Sequence, residues 1–387
     1  MRVCGIIAEY DPFHKGHERH LLLAREKSGA DYVICVISGS FTQRGAPALL
    51  SAHHRAEMAL RCGADAVLQL PYAFSVREAE SFALGGVCIL TALNCVTHLS
   101  FGSETDDISL LQAAAQLLEQ PDDAFTTALL SSLKKGLSFA AAQGQALKAA
   151  LGPDAEALNA PNAALALSYL RAIRRLNSAL IPVPVLRTQD YHALEMEAYP
   201  SATALRGAIL RGDWEGAERA VPPAALPVLK RAIREGLCPP GGLDAILRHT
   251  LLTADKEKIA LWPGVDEGLE DRILAAAKTE VSREALINAV KTRRYTQGRI
   301  SRALCHGMLG VTKASLPALP DHARILGFRE SARPLLRAMQ KSGFPLITRP
   351  ARADCAGLDI RADELRAIAA GRPLGGTYRR APVIVAD

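Results

Sequence analysis

The sequence lacks the features that mark secreted, zinc-binding and membrane-spanning proteins. Its eight cysteines are dispersed and form no C-x-x-C pair, which predicts reduced thiols rather than a disulfide framework or a zinc site. The longest apolar stretch, Phe82 to Val96, is interrupted by glycine and asparagine and is too short to span a bilayer. No signal peptide is apparent, because Met1-Arg2 leads directly into an apolar segment. We therefore expect a cytoplasmic protein without a membrane partner.

The chain is long enough for more than one domain, and its charge is unevenly distributed. It has 387 residues, of which 49% are hydrophobic and 22% charged, as in a globular protein with a substantial core. Residues 1–269 contain 25 Lys and Arg against 29 Asp and Glu, whereas residues 270–387 contain 21 against 11. A basic C-terminal third suggests a polyanionic partner, and a merely soluble basic surface is the alternative.

The first half of the sequence alternates between short apolar segments and segments with helical periodicity. The apolar segments have the length and β-branched content of buried strands, and they are residues 3–8, 31–38, 66–70, 98–101 and 181–186. Prolines in the last of these place it near the edge of a sheet. This order predicts an α/β fold with a doubly wound parallel sheet, followed by a mainly helical C-terminal region with a small βα element. Ligands of such sheets bind beyond the carboxyl ends of the strands.

The first strand ends in a histidine-rich turn that is suited to binding phosphate. Asp11-Pro12 terminates the strand, and helical periodicity resumes after Gly16. His14 and His17 therefore lie at a helix N-terminus, where free backbone N–H groups and the helix dipole attract anions. Two ordinary loop or core histidines are the alternative, but their position around a glycine at a first βα turn favours the anion site.

A second candidate for phosphate binding follows the fifth predicted strand. Ser201 and Thr203 place hydroxyl groups at a helix N-terminus, and Arg206 adds positive charge. A simple N-cap is the commoner meaning of such a sequence. Its position after five predicted strands, downstream of the histidine turn, favours a functional interpretation.

Both motifs resemble those of the nucleotidylyltransferase superfamily, which has a Rossmann-like fold. His14-Lys15-Gly16-His17 resembles its H-x-G-H signature, and Ser201 to Arg206 resembles its I-S-x-T-x-x-R helix start. Further segments resemble the tRNA(Met) cytidine acetate ligases in order and spacing, and they are residues 5–17, 38–45, 63–72, 101–104, 161–163 and 293–297. This resemblance covers nearly the whole chain. It is broken at Asp11 and Lys15, which replace asparagines; an aspartate there would repel phosphate unless it points away or meets a cation such as Lys15.

The resemblance implies a ligase that activates acetate with ATP and acetylates N4 of the wobble cytidine, position 34, of elongator tRNA(Met). It implies that His14 and His17 are catalytic and stabilise charge in the transition state. The remaining ATP contacts that it implies are Ile7, Ala8, Glu9, Tyr10, Asp11, Pro12, Phe13, Lys15, Gly16, Glu18, Arg19, His20, Gly102, Asn162, Arg187, Thr188, Ser201, Thr203 and Arg206. Arg44 is a weaker candidate for binding acetate or phosphate. ATP is expected as a co-substrate with Mg²⁺, and we expect no tightly bound metal or organic cofactor and no obligate protein partner.

A basic segment, residues 291–302, is the candidate for binding tRNA. It contains five basic residues and no acidic residue. On a continuous helix Tyr295, Arg299 and Arg302 would share one face, so that the arginines and Arg294 could bind phosphates while the tyrosine stacks on an unpaired base. A solvated basic helix is the alternative.

The expected organisation is therefore an ATP-binding catalytic domain over residues 1–215, a helical tRNA-binding domain over 216–312 and a small α/β element over 313–387. Two other functions remain open from the sequence. One is a small-molecule adenylyltransferase, and the other is a non-catalytic RNA-binding protein that keeps a nucleotide pocket.

Overall fold

One sheet organises the residues that the computed structural model describes, which are 1–186, 201–350 and 356–387. Its strands are β1 (Val3–Ala8), β2 (Tyr32–Ser38), β3 (Ala66–Leu70), β4 (His98–Ser103), β5 (Ile181–Leu186), β6 (Ala323–Arg329), β7 (Leu346–Ile347) and β8 (Val383–Val385). Their order is β5-β4-β1-β2-β3-β6-β7, and β8 also pairs with β6. Strands β1 to β5 pair in parallel, so the predicted doubly wound parallel sheet is confirmed, with the proline-containing β5 at its edge.

Helices pack on both faces of the sheet, and further helices follow β5. Those of the first half are α1 (Lys15–Ser28), α2 (Ala52–Arg61), α3 (Tyr72–Ser75), α4 (Ala79–Ala92), α5 (Ile108–Glu119), α6 (Asp123–Lys134), α7 (Phe139–Leu151) and α8 (Pro161–Arg175). After β5 come α9 (Ala202–Arg211), α10 (Trp214–Ala220), α11 (Leu226–Glu235), α12 (Asp244–Leu252), α13 (Lys256–Ala260), α14 (Leu269–Ala277), α15 (Arg283–Val290) and α16 (Gln297–Met308). The C-terminal strands alternate with α17 (Arg333–Lys341), α18 (Gly357–Ala369) and α19 (Gly376–Arg379). None of the helices in the described part of the chain is both long and apolar enough to cross a membrane.

The apolar strand β1 is buried on both faces because its alternating side chains enter two different cores. Val3 and Ile7 belong to one hydrophobic cluster, whereas Cys4 and Ile6 belong to the cluster on the opposite face. Gly5 lies between them, where a Cβ atom would come within 2.6 Å of the Leu90 side chain. A strand that is covered on both faces can present polar groups only at its ends, and the carboxyl end of β1 leads into the histidine turn.

The C-terminal strands, which lie in the small α/β element expected over residues 313–387, are continuous with this sheet. Strand β6 pairs antiparallel with β3, and Ala66 lies opposite Phe328. The sequence does not indicate this pairing, because periodicity describes burial and carries no information on long-range pairing. The helical group from α12 to α16 has a core of its own, which includes Ile259, Trp262 and Ile300.

Candidate nucleotide-binding site

A cavity of about 510 Å³ lies beyond the carboxyl ends of β1, β4 and β5, where open parallel sheets bind ligands. The candidate residues that line it are Ile7, Ala8, Glu9, Tyr10, Asp11, Gly16, His17, Arg19, His20, Arg44, Gly102, Asn162 and Arg206. The candidates that do not line it are Pro12, Phe13, His14, Lys15, Glu18, Ser201 and Thr203. Arg187 and Thr188 lie outside the described residues. The chain therefore brings most of the expected ATP contacts to one cavity.

The two histidines of the turn cap helix α1 with their rings. Nδ1 of His14 accepts the N–H of Gly16 at 3.0 Å, and Nδ1 of His17 accepts the N–H of His14 at 3.3 Å. A neutral imidazole that accepts at Nδ1 carries its proton on Nε2. The backbone of the turn thus selects, for both rings, the tautomer whose Nε2 is a donor. A Cβ atom on Gly16 would lie 2.8 Å from the His14 ring, so this geometry requires glycine.

His14 and His17 have different surroundings, although the resemblance assigns them one role. Their rings stack with centroids 3.7 Å apart, but only His17 lines the cavity, and His14 is buried behind it. Tyr10 and Phe13 are fully buried and contact the His17 ring at centroid distances of 4.8 and 5.6 Å. The aromatic residues and His14 therefore hold His17 in place, and His17 is the ring that faces a ligand.

The Asp11 carboxylate lies at the cavity wall, accepts a hydrogen bond and meets a cation. Its Oδ1 accepts the N–H of Leu49 at 2.8 Å, and its Oδ2 lies 3.6 Å from the guanidinium of Arg206. Arg206 also donates to the Asp11 carbonyl at 2.6 Å and to the Thr203 hydroxyl at 2.9 Å. The cation beside Asp11 is therefore Arg206 and not Lys15, and the Asp11 carboxylate ties helix α9 to the histidine turn.

Ser201 is the N-cap of α9. Of the two interpretations of this residue, helix capping and phosphate binding, the structure shows the first directly. Its hydroxyl accepts the N–H of Ala204 at 3.2 Å, and the next residue, Ala202, lines the cavity. The start of α9 thus lies at the cavity even though the Ser201 and Thr203 side chains do not line it. Their contribution is to cap the helix and to hold Arg206.

Glu104 positions Asn162 on the far wall of the cavity. One carboxylate oxygen accepts Nδ2 of Asn162 at 2.7 Å, and the other accepts the N–H of Ala163 at 2.8 Å. These bonds fix the side chain of Asn162 at the first turn of α8. Glu104 was not among the candidate residues, although it belongs to the F-G-S-E segment that carries the resemblance.

A loop after β2, residues 39–47, supplies the remaining wall, and we call it the Arg44 loop. Gln43 and Arg44 line the cavity, and the N–H of Gln43 donates to the Glu9 carboxylate. Nε2 of Gln43 donates to the carbonyl of Arg77 at 2.7 Å, which orients the side chain. Burial raises the pKa of Glu9. Gln43 was not among the candidate residues, although it belongs to the S-G-S-F-T-Q-R-G segment that carries the resemblance.

Two further residues, which were not among the candidates, donate hydrogen bonds to backbone carbonyls at the ends of strands. Arg55 is fully buried and donates to the carbonyls of Glu9 and Gly39, so it joins the ends of β1 and β2, and burial lowers its pKa to about 10. Tyr169 lines the cavity and donates to the carbonyl of Ile7 at 3.4 Å. Both lie inside helices, and no local pattern distinguishes them from ordinary helical residues.

The basic segment differs from the expected continuous helix with an exposed tyrosine. Helix α16 begins only at Gln297, and Tyr295 is buried with its hydroxyl donating to the Glu267 carbonyl at 2.6 Å. Its ring is therefore part of the helical core and is not presented to an RNA base. Arg294 pairs with the Glu267 carboxylate at 2.7 Å, and the guanidinium of Arg299 lies over the Tyr295 ring.

Acidic residues that precede the basic segment in the sequence therefore lie beside it in space. Arg299 donates to the Gly264 carbonyl at 2.7 Å and lies 3.5 Å from the Asp266 carboxylate. Burial lowers the pKa of Arg302, which is half-buried. The charges of Arg294 and Arg299 are therefore partly compensated by Glu267 and Asp266. The count of charged residues over 270–387 could not indicate this, because both acidic residues precede residue 270.

Comparisons with known proteins agree with this geometry. The family described as HIGH Nucleotidyl Transferase matches residues 1–374. A tRNA(Met) cytidine acetate ligase of Acetivibrio thermocellus is 36% identical in an alignment of 367 positions that covers 90% of this chain and 88% of that one. One of Syntrophotalea carbinolica is 38% identical in an alignment of 362 positions that covers 90% of this chain and 85% of that one. The crystal structure of Thermotoga maritima TmcAL bound with alpha-thio ATP is 30% identical and covers 100% of both chains with a TM-score of 0.90. The chain therefore belongs to the HIGH nucleotidyl transferases and, among them, to the family of the tRNA(Met) cytidine acetate ligases.

Proposed function

We propose that this protein activates acetate with ATP and transfers the acetyl group to N4 of the wobble cytidine of elongator tRNA(Met). The observation that carries the proposal is the position of His17, whose Nδ1 is occupied by the backbone and whose ring faces the cavity. An Nε2 donor at a helix N-terminus suits charge that develops on a phosphate. The family membership adds that relatives of this chain are named tRNA(Met) cytidine acetate ligases.

The reaction proceeds in two steps, of which the first forms the activated acyl group and the second transfers it. A carboxylate oxygen of acetate attacks the α-phosphorus of ATP, the bond to the β-phosphate oxygen breaks, and pyrophosphate leaves with the electron pair. N4 of cytidine then attacks the acetyl carbonyl, AMP leaves, and the amine loses a proton. Acetate alone is a poor acyl donor, and the cytidine amine is a weak nucleophile because its lone pair delocalises into the ring.

The charges around the cavity fit a triphosphate and a small anion. Arg19, Arg44 and Arg206 line it, and the carboxylates of Glu9 and Asp11 accept backbone N–H groups and are in this way partly satisfied. We assign the α-phosphate to His17 and place acetate or a phosphate oxygen at Arg44. His14 acts through its stacking on His17, and Arg206 through the start of α9.

Mg²⁺ is proposed to accompany ATP and to help neutralise its phosphates. No group of three His, Cys, Asp or Glu side chains among the described residues could hold a metal ion. Mg²⁺ usually keeps several waters and is bound by substrate phosphates with one or two carboxylates. Such an ion would depend mainly on ATP for its ligands. The proposed tRNA substrate leads us to expect the reaction in the cytoplasm.

The helical region over residues 216–312 remains the proposed tRNA-binding region. Arg302 and the partly compensated Arg294 and Arg299 are the proposed phosphate contacts, whereas base stacking by Tyr295 is withdrawn because its ring is buried. An arginine that is paired with a carboxylate can still bind RNA if a phosphate replaces the carboxylate. Each such exchange contributes less binding free energy than a contact made by an unpaired arginine.

Exchange of labelled pyrophosphate into ATP tests the proposal. We expect exchange that requires acetate and does not require tRNA, because adenylate formation precedes transfer. Exchange that ignores acetate but depends on another small acceptor would indicate a small-molecule adenylyltransferase. Absence of any exchange, with RNA binding retained, would indicate a non-catalytic RNA-binding protein.

A further inference from the structure

The Arg44 loop is held at its tip by the C-terminal helical group. Gly45 has φ +72°, and a Cβ atom there would lie 2.7 Å from the Cα atom of Arg302 in helix α16. The hydroxyl of Ser301 donates to the carbonyl of Arg44 at 2.6 Å. The backbone on both sides of the Arg44 side chain therefore lies directly against α16.

Arg283, at the start of α15, joins these two contacts. Its guanidinium donates to the Gly45 carbonyl at 2.7 Å, to the Ser301 hydroxyl at 2.6 Å and to the Ser301 carbonyl at 3.3 Å. Burial lowers the pKa of Arg283. These three acceptors are neutral oxygens and not carboxylates, so Arg283 forms no ion pair with either segment through them and instead holds the loop against α16.

We propose that Arg283 is a positioning residue that, together with Ser301, sets the Arg44 loop so that Arg44 and Gln43 reach the cavity. This inference rests on the proposed function, because it assigns the positioned groups to the adenylation site. Arg283 does not line the cavity, and it acts on the reaction only through the loop backbone. The side chains on either side of Ser301 in α16 are Ile300 and Arg302, so the helix that carries a proposed RNA contact also holds the catalytic loop.

Arg283→Gln tests the proposal in the full-length protein. We expect kcat/KM for acetate in pyrophosphate exchange to fall about tenfold, which is the effect of losing a hydrogen bond to a charged group, and we expect KM to rise more than kcat falls. Arg283→Lys and Ser301→Ala are expected to show smaller losses of the same kind. The matched control is Arg272→Gln, because Arg272 donates to the Val290 carbonyl within the helical group and does not reach the loop.

A double-mutant cycle separates positioning from general stability. In an Arg44→Ala background, Arg283→Gln should lower kcat/KM by a smaller factor than in the wild type, because one of the two groups that it positions is already missing. If Arg283→Gln lowers kcat/KM by the same factor in the Arg44→Ala background as in the wild type, the proposal is overturned, since Arg283 would then act elsewhere.

Amide hydrogen exchange provides a readout that does not depend on the reaction. The N–H groups of Thr42, Gly45 and Ala48 are hydrogen-bonded within the loop, and Arg283→Gln should speed their exchange at least tenfold, whereas Arg272→Gln should not. Unchanged protection would overturn the proposal. If wild type shows the expected protection but no acetate-dependent pyrophosphate exchange, the proposed function fails while the positioning of the loop stands.

Discussion

Replacement of His17 by asparagine separates the role of this ring in the helix cap from its role at the phosphate. The Oδ1 atom of asparagine takes the place of Nδ1 and can still accept the N–H of His14, a bond of 3.3 Å in the structure. The Nε2 donor that faces the cavity is lost. We therefore expect the cap and the thermal stability to survive while the transition-state contact disappears.

The expected size of the effect follows from that lost donor. Removal of one donor to a developing oxyanion costs about 2.7–4 kcal/mol, which corresponds to a fall in kcat of about 100- to 1000-fold. ATP affinity should change less than about fivefold, because the ground-state phosphate gains little from this bond. His17→Gln should retain part of the activity, since its side-chain amide lies near the position of Nε2.

Acetate-dependent pyrophosphate exchange and calorimetric titration with ATP measure the two quantities. His98→Asn is the matched control, because His98 lies at the amino end of β4, opposite the cavity, and its Nδ1 is hydrogen-bonded to Thr97 at 2.8 Å. Equal losses of ATP affinity and turnover in His17→Asn would refute the reasoning and mark His17 as a ground-state contact.

Three other outcomes are expected. Glu104→Gln should weaken ATP binding about tenfold in calorimetry, because an amide cannot accept from both Asn162 and Ala163; unchanged affinity would contradict the positioning role. Burial lowers the pKa of His306 to about 3, from 6.5 in the unfolded chain. As the pH drops from 6.5 towards 3, the imidazole is therefore protonated in the unfolded chain but not in the folded one, and the free energy of unfolding should decrease. Thermal unfolding should show a smaller decrease for His306→Gln. Neutralising Arg294 and Arg299 together should reduce the slope of log K against log salt for tRNA by less than about one, because acidic side chains compensate both; a decrease of about two would show fully available charges.

Local patterns predicted the parallel sheet well, because the information for each strand lies within the strand. The segments at residues 3–8, 66–70 and 181–186 coincide with β1, β3 and β5. Burial on both faces produces continuous apolar runs, and turns with proline or glycine end them. Pairing between distant segments leaves no such trace, so the place of β6 beside β3 could not be read from the sequence.

The candidate site shows the same division between local and distant information. Motif positions predict the cavity, the histidine turn and the start of α9. The tautomer of His17, in contrast, depends on a hydrogen bond that is seen only in the folded structure. The direction of Asp11 depends on Leu49 and Arg206, which lie 38 and 195 residues away. Tyr295 was misplaced for a similar reason, because its partner Glu267 is 28 residues upstream.

The Arg44 loop connects the cavity to the helical group from α12 to α16, so the two are not independent units. Arg283 and Ser301 hold its tip, although they are 238 and 257 residues away in the sequence. Asp363 accepts the hydroxyl of Ser40 at 2.5 Å near its base. A fragment that ends at residue 215 would keep the histidine turn and lose all three of these supports. The cavity wall that Gln43 and Arg44 complete therefore depends on contacts from residues far beyond 215.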